Sequence, residues 1–290
     1  MAHSASSAVA APAALAEDEC PLWDADGCPA WLDGAFFGIF DATAPIVEVV
    51  VHDELPPVAV AQRAGDATLG TSRFVWNSAV ALSRWLACWA RAASEELAAA
   101  DFRAVELGAG TGLCSLALAA ALRDSPCRAA VTATDLPGSL ALILDGVRRN
   151  GLGGSVQTAA LDWREAVQRA SRAGGVASDG GSRWADVAAA DLVFAADVTF
   201  SEELRGLVFT VVARACAAGA VCVLAHEDRD DRADIERDMD AMGGAVEWSR
   251  LDAPAHGAAE VLLYALAASG CQKLRFGSAL ASLVTVGKQG

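Results

Sequence analysis

Apolar and polar positions follow two periods along this chain. Short apolar runs of the kind that fit buried strands alternate with stretches whose apolar positions recur every three or four residues, as in amphipathic helices. The strand-like runs are Phe102 to Val105, Ala129 to Thr134, Ser155 to Leu161, Asp191 to Ala196 and Ala220 to Ala225. Helical stretches follow Leu113, run from Leu140 to Val147, and extend from Ser201-Glu202-Glu203 to Ala217. After His226-Glu227-Asp228-Arg229 the pattern predicts a helix to Met242 and two late strands around 245–251 and 261–267. Such β-α alternation predicts an α/β fold, with a mostly parallel sheet and helices on both faces.

Upstream the pattern differs. Ile46-Val47-Glu48-Val49-Val50-Val51 is β-branched, Pro56-Pro57 interrupts it and Val58-Ala59-Val60-Ala61 resumes, which predicts a hairpin or a pair of edge strands. From Phe74 to Leu86 the apolar positions 75, 79, 82 and 86 predict an amphipathic helix. Residues 1–19 are Ala/Ser-rich, without the cationic start of a signal peptide or the arginines of a transit peptide, and are expected to be a disordered tail. Residues 20–45 carry Trp23, Trp31, Phe36, Phe37 and Phe40 and suggest an irregular aromatic segment laid on the domain. The Gly/Ser-rich stretch 171–183 suggests a surface loop. The expected organisation is a tail (1–19), an N-terminal extension with a β-hairpin (20–73), a main domain (74–270) and a C-terminal tail (271–290).

Composition narrows the function. Of 290 residues 54% are apolar, enough for a large core, yet no run reaches the roughly 18 uninterrupted apolar residues of a membrane-spanning helix. The net charge of −15, with no basic cluster, argues against direct nucleic-acid binding and suits solubility or a basic partner equally well. The 8 cysteines form no C-x-x-C pair, and Cys88, Cys114, Cys216 and Cys222 sit in apolar stretches as small core residues, a usage that suits a reducing compartment. With only His3, His52, His226 and His256, no zinc site is expected.

The chemistry-bearing stretch is Glu106-Leu107-Gly108-Ala109-Gly110-Thr111-Gly112, a glycine turn between a strand and a helix. Glycines there let the backbone approach a ligand closely. Leu113 stands where a dinucleotide fingerprint needs its last glycine, which disfavours a plain NAD(P) enzyme. Asp135 ends the next strand at about the 20-residue offset from which a carboxylate reaches ribose hydroxyls; a helix N-cap ahead of Pro137 is the structural alternative. Asp135, Trp163 and Asp197 all fall at expected strand ends, where ligands bind in such sheets.

In that order the motifs resemble the seven-β-strand (class I) protein-lysine methyltransferases of the methyltransferase-like 21 and 22 type. Phe74-Val75-Trp76-Asn77-Ser78-Ala79 resembles the family's V-W-[DN]-x-A block, and Val105 to Leu113 its V-E-L-G-A-G-T-G-L. Thr134-Asp135-Leu136-Pro137 resembles T-D-L-P, Asn150 a helix-ending asparagine, and Leu161-Asp162-Trp163 the L-x-W that flanks adenine. Asp197-Val198-Thr199-Phe200 resembles D-x-x-Y, with Phe200 in place of tyrosine. The matches span about residues 45–267. The resemblance implies a Rossmann-like sheet with a late antiparallel strand, S-adenosylmethionine (SAM) as cofactor, and methyl transfer to a lysine of a specific protein.

It places Trp76 and Trp163 against the adenosyl group, Gly108, Ala109 and Gly110 beneath the methionine and ribose, Asp135 on the ribose hydroxyls and Ala196 along the site. Glu106, Gly112 and Leu136 join the cofactor set by the same motifs. Asp197 would orient the substrate amine and Phe200 wall its channel, although Asp197 could instead serve the N-terminus of the helix that follows it. Arg229 reads as a substrate contact or a solvated loop residue. The implied partner is a lysine-containing protein, basic or of the chaperone or translation-factor kind, met by a monomer in the cytoplasm or nucleus, with no nucleic acid and no membrane. The competing readings are a small-molecule N-methyltransferase, which the glycine turn and Asp135 would serve as well, and a SAM-binding, client-binding protein that has lost transfer, suggested by Phe200.

Overall fold

β1 (Ile46–Val49) and β2 (Val58–Ala61) pair antiparallel, with Ile46 opposite Ala61 and Val49 opposite Val58. They form the expected hairpin, a two-stranded sheet separate from the main one. A lone hairpin is marginal in water; this one buries Val47, Val49, Val58 and Val60 against the rest of the protein. The computed structural model describes residues 41, 43–98, 101–172, 184–252 and 260–269. The tail 1–19, the aromatic residues Trp23 to Phe40, nearly all of the 171–183 stretch and the tail 271–290 lie outside the described residues.

A 3-10 turn over Ala67–Arg73 leads to α1 (Asn77–Ala92) and the short α2 (Ser94–Leu97). The helix expected from Phe74 starts later, because Trp76 is extended (φ −96°, ψ 152°) and its indole N–H is tied to the Thr71 carbonyl at 3.0 Å. It also runs past Leu86 to Ala92, no proline or glycine interrupting it.

The main sheet is then laid down by β3 (Asp101–Leu107), α3 (Leu113–Leu122), β4 (Arg128–Asp135), α4 (Leu140–Arg149) and β5 (Val156–Ala160). The chain continues through α5 (Trp163–Arg172), α6 (Trp184–Ala188), β6 (Leu192–Ala196), α7 (Glu202–Ala218) and β7 (Val221–Glu227). It finishes with α8 (Arg232–Asp240), β8 (Val246–Leu251) and β9 (Val261–Ala268). The strand order is β5-β4-β3-β6-β7-β9-β8. Every pair from β5 to β7 is parallel, and β9 runs antiparallel to both β7 and β8. This is the expected Rossmann-like sheet with one reversed strand.

Period-two alternation sends side chains to both faces, and each face has its own core. Leu192 and Phe194 of β6 join Val80, Leu82 and Leu86 of α1 and Leu116 of α3 on one side. Val193 and Ala195 join Val208, Val211 and Val212 of α7 on the other. Asn150, the residue that ends α4, ties the hairpin to this frame. Its Oδ1 accepts the Ala59 N–H at 2.9 Å, while its Nδ2 donates to the Ala59 carbonyl at 2.6 Å and the Gly146 carbonyl at 2.7 Å. The side-chain amide thereby pairs with β2 as a neighbouring strand would.

Two further expectations change. Cys114, Cys216 and Cys222 are buried as expected, but Cys88 is exposed, because it falls on the outer face of α1. β7 runs two residues past Ala225, so His226 and Glu227 are strand residues and are buried. Among the described residues no helix is long and apolar enough to cross a membrane, and no cluster of ligating side chains could hold a metal ion.

Candidate active site

The chain enters the sheet at β3, builds outward through β4 to β5, then returns to place β6 on the other side of β3. The crevice beyond the carboxyl ends of β3 and β6 is therefore a topological switch point, where ligands bind in open parallel sheets. A cavity of about 1200 Å³ opens there, and it is lined by Glu106, Gly108, Ala109, Gly110, Asp135, Leu136, Trp163, Trp76, Ala196, Asp197 and Phe200. Of the twelve site residues expected from the sequence, only Gly112 stays off its wall.

Gly108 has φ +65°, and a Cβ there would stand 2.9 Å from Val198 Cγ1 and 3.2 Å from the Trp163 ring. The backbone thus passes where no side chain fits. Gly112 (φ +83°) serves packing instead. A Cβ there would meet Ile143 Cγ2 at 2.9 Å, so this glycine permits α3 and α4 to approach each other. As N-cap of α3 it has no side chain to offer. Glu106 supplies the acceptor, taking the Ser115 backbone N–H at 2.9 Å and the Ser115 hydroxyl at 2.5 Å. Burial pushes the Glu106 carboxyl up to about 7, even though the Ser115 bonds pull the other way.

At the end of β4, Asp135 Oδ2 accepts the Gly110 N–H at 2.7 Å and Oδ1 accepts the Leu136 N–H at 2.7 Å. The carboxylate is held against the glycine turn and keeps acceptor capacity for a ligand. The helix-cap alternative fails, since the 3-10 turn after it is flanked by Leu136 and has no side-chain cap. Burial raises the Asp135 carboxyl above its ordinary range, opposed by the bonds from Gly110, Leu136 and Ser139. Trp163 opens α5 instead of closing β5, and Leu136 is 52% exposed at the rim. The turn at 67–73, which no sequence signal marked, forms another wall. Its Ser72 carbonyl would lie 3.3 Å from a Cβ on Gly110, and the Ser72 and Ser139 hydroxyls bond at 2.8 Å.

Across β3 and β6 the cavity reaches a charged group. Asp197 follows β6 in a left-handed conformation (φ 54°) and is 8% exposed. It is not the helix cap, a role taken by Ser201, whose side chain accepts the Leu204 N–H. Instead both Asp197 oxygens receive the Arg229 guanidinium, at 2.8 and 2.7 Å. Arg229, left open in the sequence, is thus a site residue, and so is Glu227. The latter lines the cavity at the end of β7 and receives only long bonds from Asn77 Nδ2, at 3.4 and 3.3 Å, with Arg229 at 3.6 Å. Behind them His226 is buried between the Thr199 hydroxyl at 3.0 Å and the Asp231 carboxylate at 2.7 Å. Phe200, 39% exposed, stands at the rim.

The donor set fits an adenosyl amino-acid cofactor. A glycine cradle that any Cβ would fill lies beside a carboxylate fixed by the Gly110 and Leu136 N–H groups, and apolar faces of Trp163, Leu161 and Leu136 line the same cavity.

The sequence model of a lysine methyltransferase family matches residues 58–238. Among curated proteins none matches. Solved structures do. Precorrin-6y C5,15-methyltransferase from Geobacter metallireducens GS-15 is 16% identical, with 62% of this chain and 87% of that chain covered and a TM-score of 0.39. An O-methyltransferase family protein from Burkholderia thailandensis is 18% identical, with 65% and 58% covered and a TM-score of 0.41. Cofactor-bound Rv0187 from MTB is 16% identical, with 71% and 92% covered and a TM-score of 0.42. None of these three likenesses bears on substrate or on the role of a residue.

Proposed function

This chain belongs to the lysine methyltransferase family, and on that premise we propose that it transfers methyl to the ε-amine of a lysine in a specific protein substrate. It is a SAM-dependent methyltransferase. Bound SAM supplies a methyl group made electrophilic by a sulfonium. The protein must hold the cofactor, align a nitrogen behind that methyl and keep water out.

Asp135 serves the ribose hydroxyls, and the Gly108–Gly110 backbone admits the cofactor closely. Trp163 and Trp76 wall the adenosyl end, and Ala196 lines the site between β3 and β7. Asp197 acts on the substrate side through Arg229, and Phe200 presents a ring to the incoming cation.

The observation that carries the acceptor class is the charge at the cavity's far end. Asp197, Glu227, Asp228 and Asp230 line it together; Arg229 pairs with Asp197 and Glu227, and Arg232 with Asp228. An excess of carboxylates draws in an ammonium group and repels acidic or phosphorylated acceptors.

Incubation of the purified chain with methyl-tritiated SAM and a whole-cell lysate, beside an Asp197→Ala lane, tests this reading. A discrete labelled protein band, absent from the variant lane and releasing methyl-lysine on hydrolysis, is the expected result. Label confined to the small-molecule filtrate would transfer the acceptor to a metabolite. Cofactor binding with no label anywhere would leave a protein that binds SAM without transferring its methyl.

A further inference from the structure

Of the four carboxylates at the substrate end of the cavity only Asp197 and Glu227 are buried, and their surroundings differ. Asp197 has each oxygen bonded to one guanidinium, at 2.8 and 2.7 Å, so its charge is already offset by a close cation. Glu227 is as well buried, yet it has no contact that short. The neutral Asn77 amide of α1 approaches it at 3.3 Å and Arg229 at 3.6 Å. On its other flank Glu227 lies opposite the apolar Val261 of β9. His226, its neighbour in β7, is bonded to Thr199 and Asp231.

From this asymmetry we propose that Glu227 is the catalytic base that takes the proton from the substrate lysine, while Asp197 and Arg229 are positioning residues that hold it in place. The inference rests on the protein-lysine reading above. A lysine ammonium, with a pKa of roughly 10.4, has no lone pair to give at neutral pH. In the cavity its N–H bond to Glu227 breaks and an O–H bond forms on the carboxylate, so a cation and an anion become a neutral amine and a neutral acid. The freed nitrogen pair then forms the N–C bond as the C–S bond breaks and its electrons stay on sulfur. Glu227 returns its proton to solvent as the methylated product leaves.

The electrostatics of the site support this assignment. Burial raises the Glu227 carboxyl above its ordinary range; Arg229 opposes the rise, Asp197 adds to it, and Asn77 and His226 oppose it. A carboxylate so placed is a stronger base than one in water, which is what removal of an ammonium proton requires.

The test compares wild type with Glu227→Gln, which is isosteric and keeps a carbonyl toward Asn77. Two readouts are taken. The first is the pH profile of transfer from methyl-tritiated SAM to the labelled protein band. The variant is expected to lose about 10²-fold or more at pH 7 and to regain rate about tenfold per pH unit as solution deprotonates the amine. The second is binding, by calorimetry, of S-adenosylhomocysteine and of sinefungin, in which a carbon replaces the sulfonium sulfur and an amine the methyl. Glu227→Gln is expected to weaken sinefungin about tenfold and to leave S-adenosylhomocysteine unchanged. A variant within threefold of wild type at pH 7, a loss equal at every pH, or parallel shifts for both ligands would each overturn the assignment. No protein label in the wild-type lane would instead sink the lysine reading, and this inference with it.

Discussion

The carboxylate of Glu106 and the backbone N–H of Ser115 meet at 2.9 Å, so a strand residue caps a helix whose own N-cap, Gly112, has no side chain. The bond fixes the turn between them, which is the floor of the cavity. It also makes the fold sensitive to pH. The Glu106 carboxyl is raised from 4.5 to about 7 by burial, so the folded state favours its protonated form. That contribution to stability is fully present below pH 4.5 and is lost as pH rises through about 7, a difference on the order of 3 kcal/mol. Glu106→Gln keeps an acceptor for Ser115 and cannot titrate. Its melting temperature should decline less than that of wild type between pH 4.5 and 7; identical slopes would contradict this.

Gly108 and Gly112 should separate binding from stability. Gly108→Ala places a methyl against Val198 and Trp163 at the cavity and should weaken SAM binding at least tenfold, read by calorimetry. Gly112→Ala drives a methyl into Ile143 and should lower stability by about 1–3 kcal/mol in urea titration, with SAM affinity of the folded fraction unchanged. A reversal of these two patterns would contradict the division of labour between the glycines.

Removal of the Asp135 carboxylate should be felt by the cofactor first. Asp135→Ala loses charge-assisted bonds worth about 1.5–3 kcal/mol, and SAM affinity should drop by roughly ten- to a hundredfold. Unchanged affinity would remove Asp135 from the ribose site.

Asp197 and Arg229 should behave as a unit. Asp197→Ala leaves the partly buried Arg229 guanidinium with only its longer contacts to Glu227 and should cost about 1–3 kcal/mol of stability together with methyl transfer. The double variant Asp197→Ala/Arg229→Met should recover most of the stability and none of the transfer, as read by urea titration beside the labelling assay. Recovered transfer would show that the pair is structural alone.

Local chemistry is legible in the sequence, and long-range pairing is not. The glycine turn, Asp135 and the strand pattern report themselves because each depends on neighbours a few residues away. Arg229 does not, since its partner Asp197 stands 32 positions earlier and only the adjacency of β6 and β7 joins them. His226 and Glu227 read as loop residues because polar side chains usually leave a strand. Here Thr199 and Asp231 satisfy His226, and Glu227, approached only at 3.3 Å by Asn77 and 3.6 Å by Arg229, lines the cavity. Gly112 shares a motif with Gly108, and only the position of Ile143 separates their roles.

The reversed strand has a consequence for how the molecule is made. β9 lies between β7 and β8 although it follows both along the chain. While the polypeptide is being synthesised, the border of β7 from Cys222 to Glu227 has no partner until Val261–Ala268 emerges. An open, apolar border of this kind recruits other chains. A stop codon or deletion that removes these last few strand residues would therefore turn a finished sheet into a seed for aggregation, even with every residue of the cavity intact.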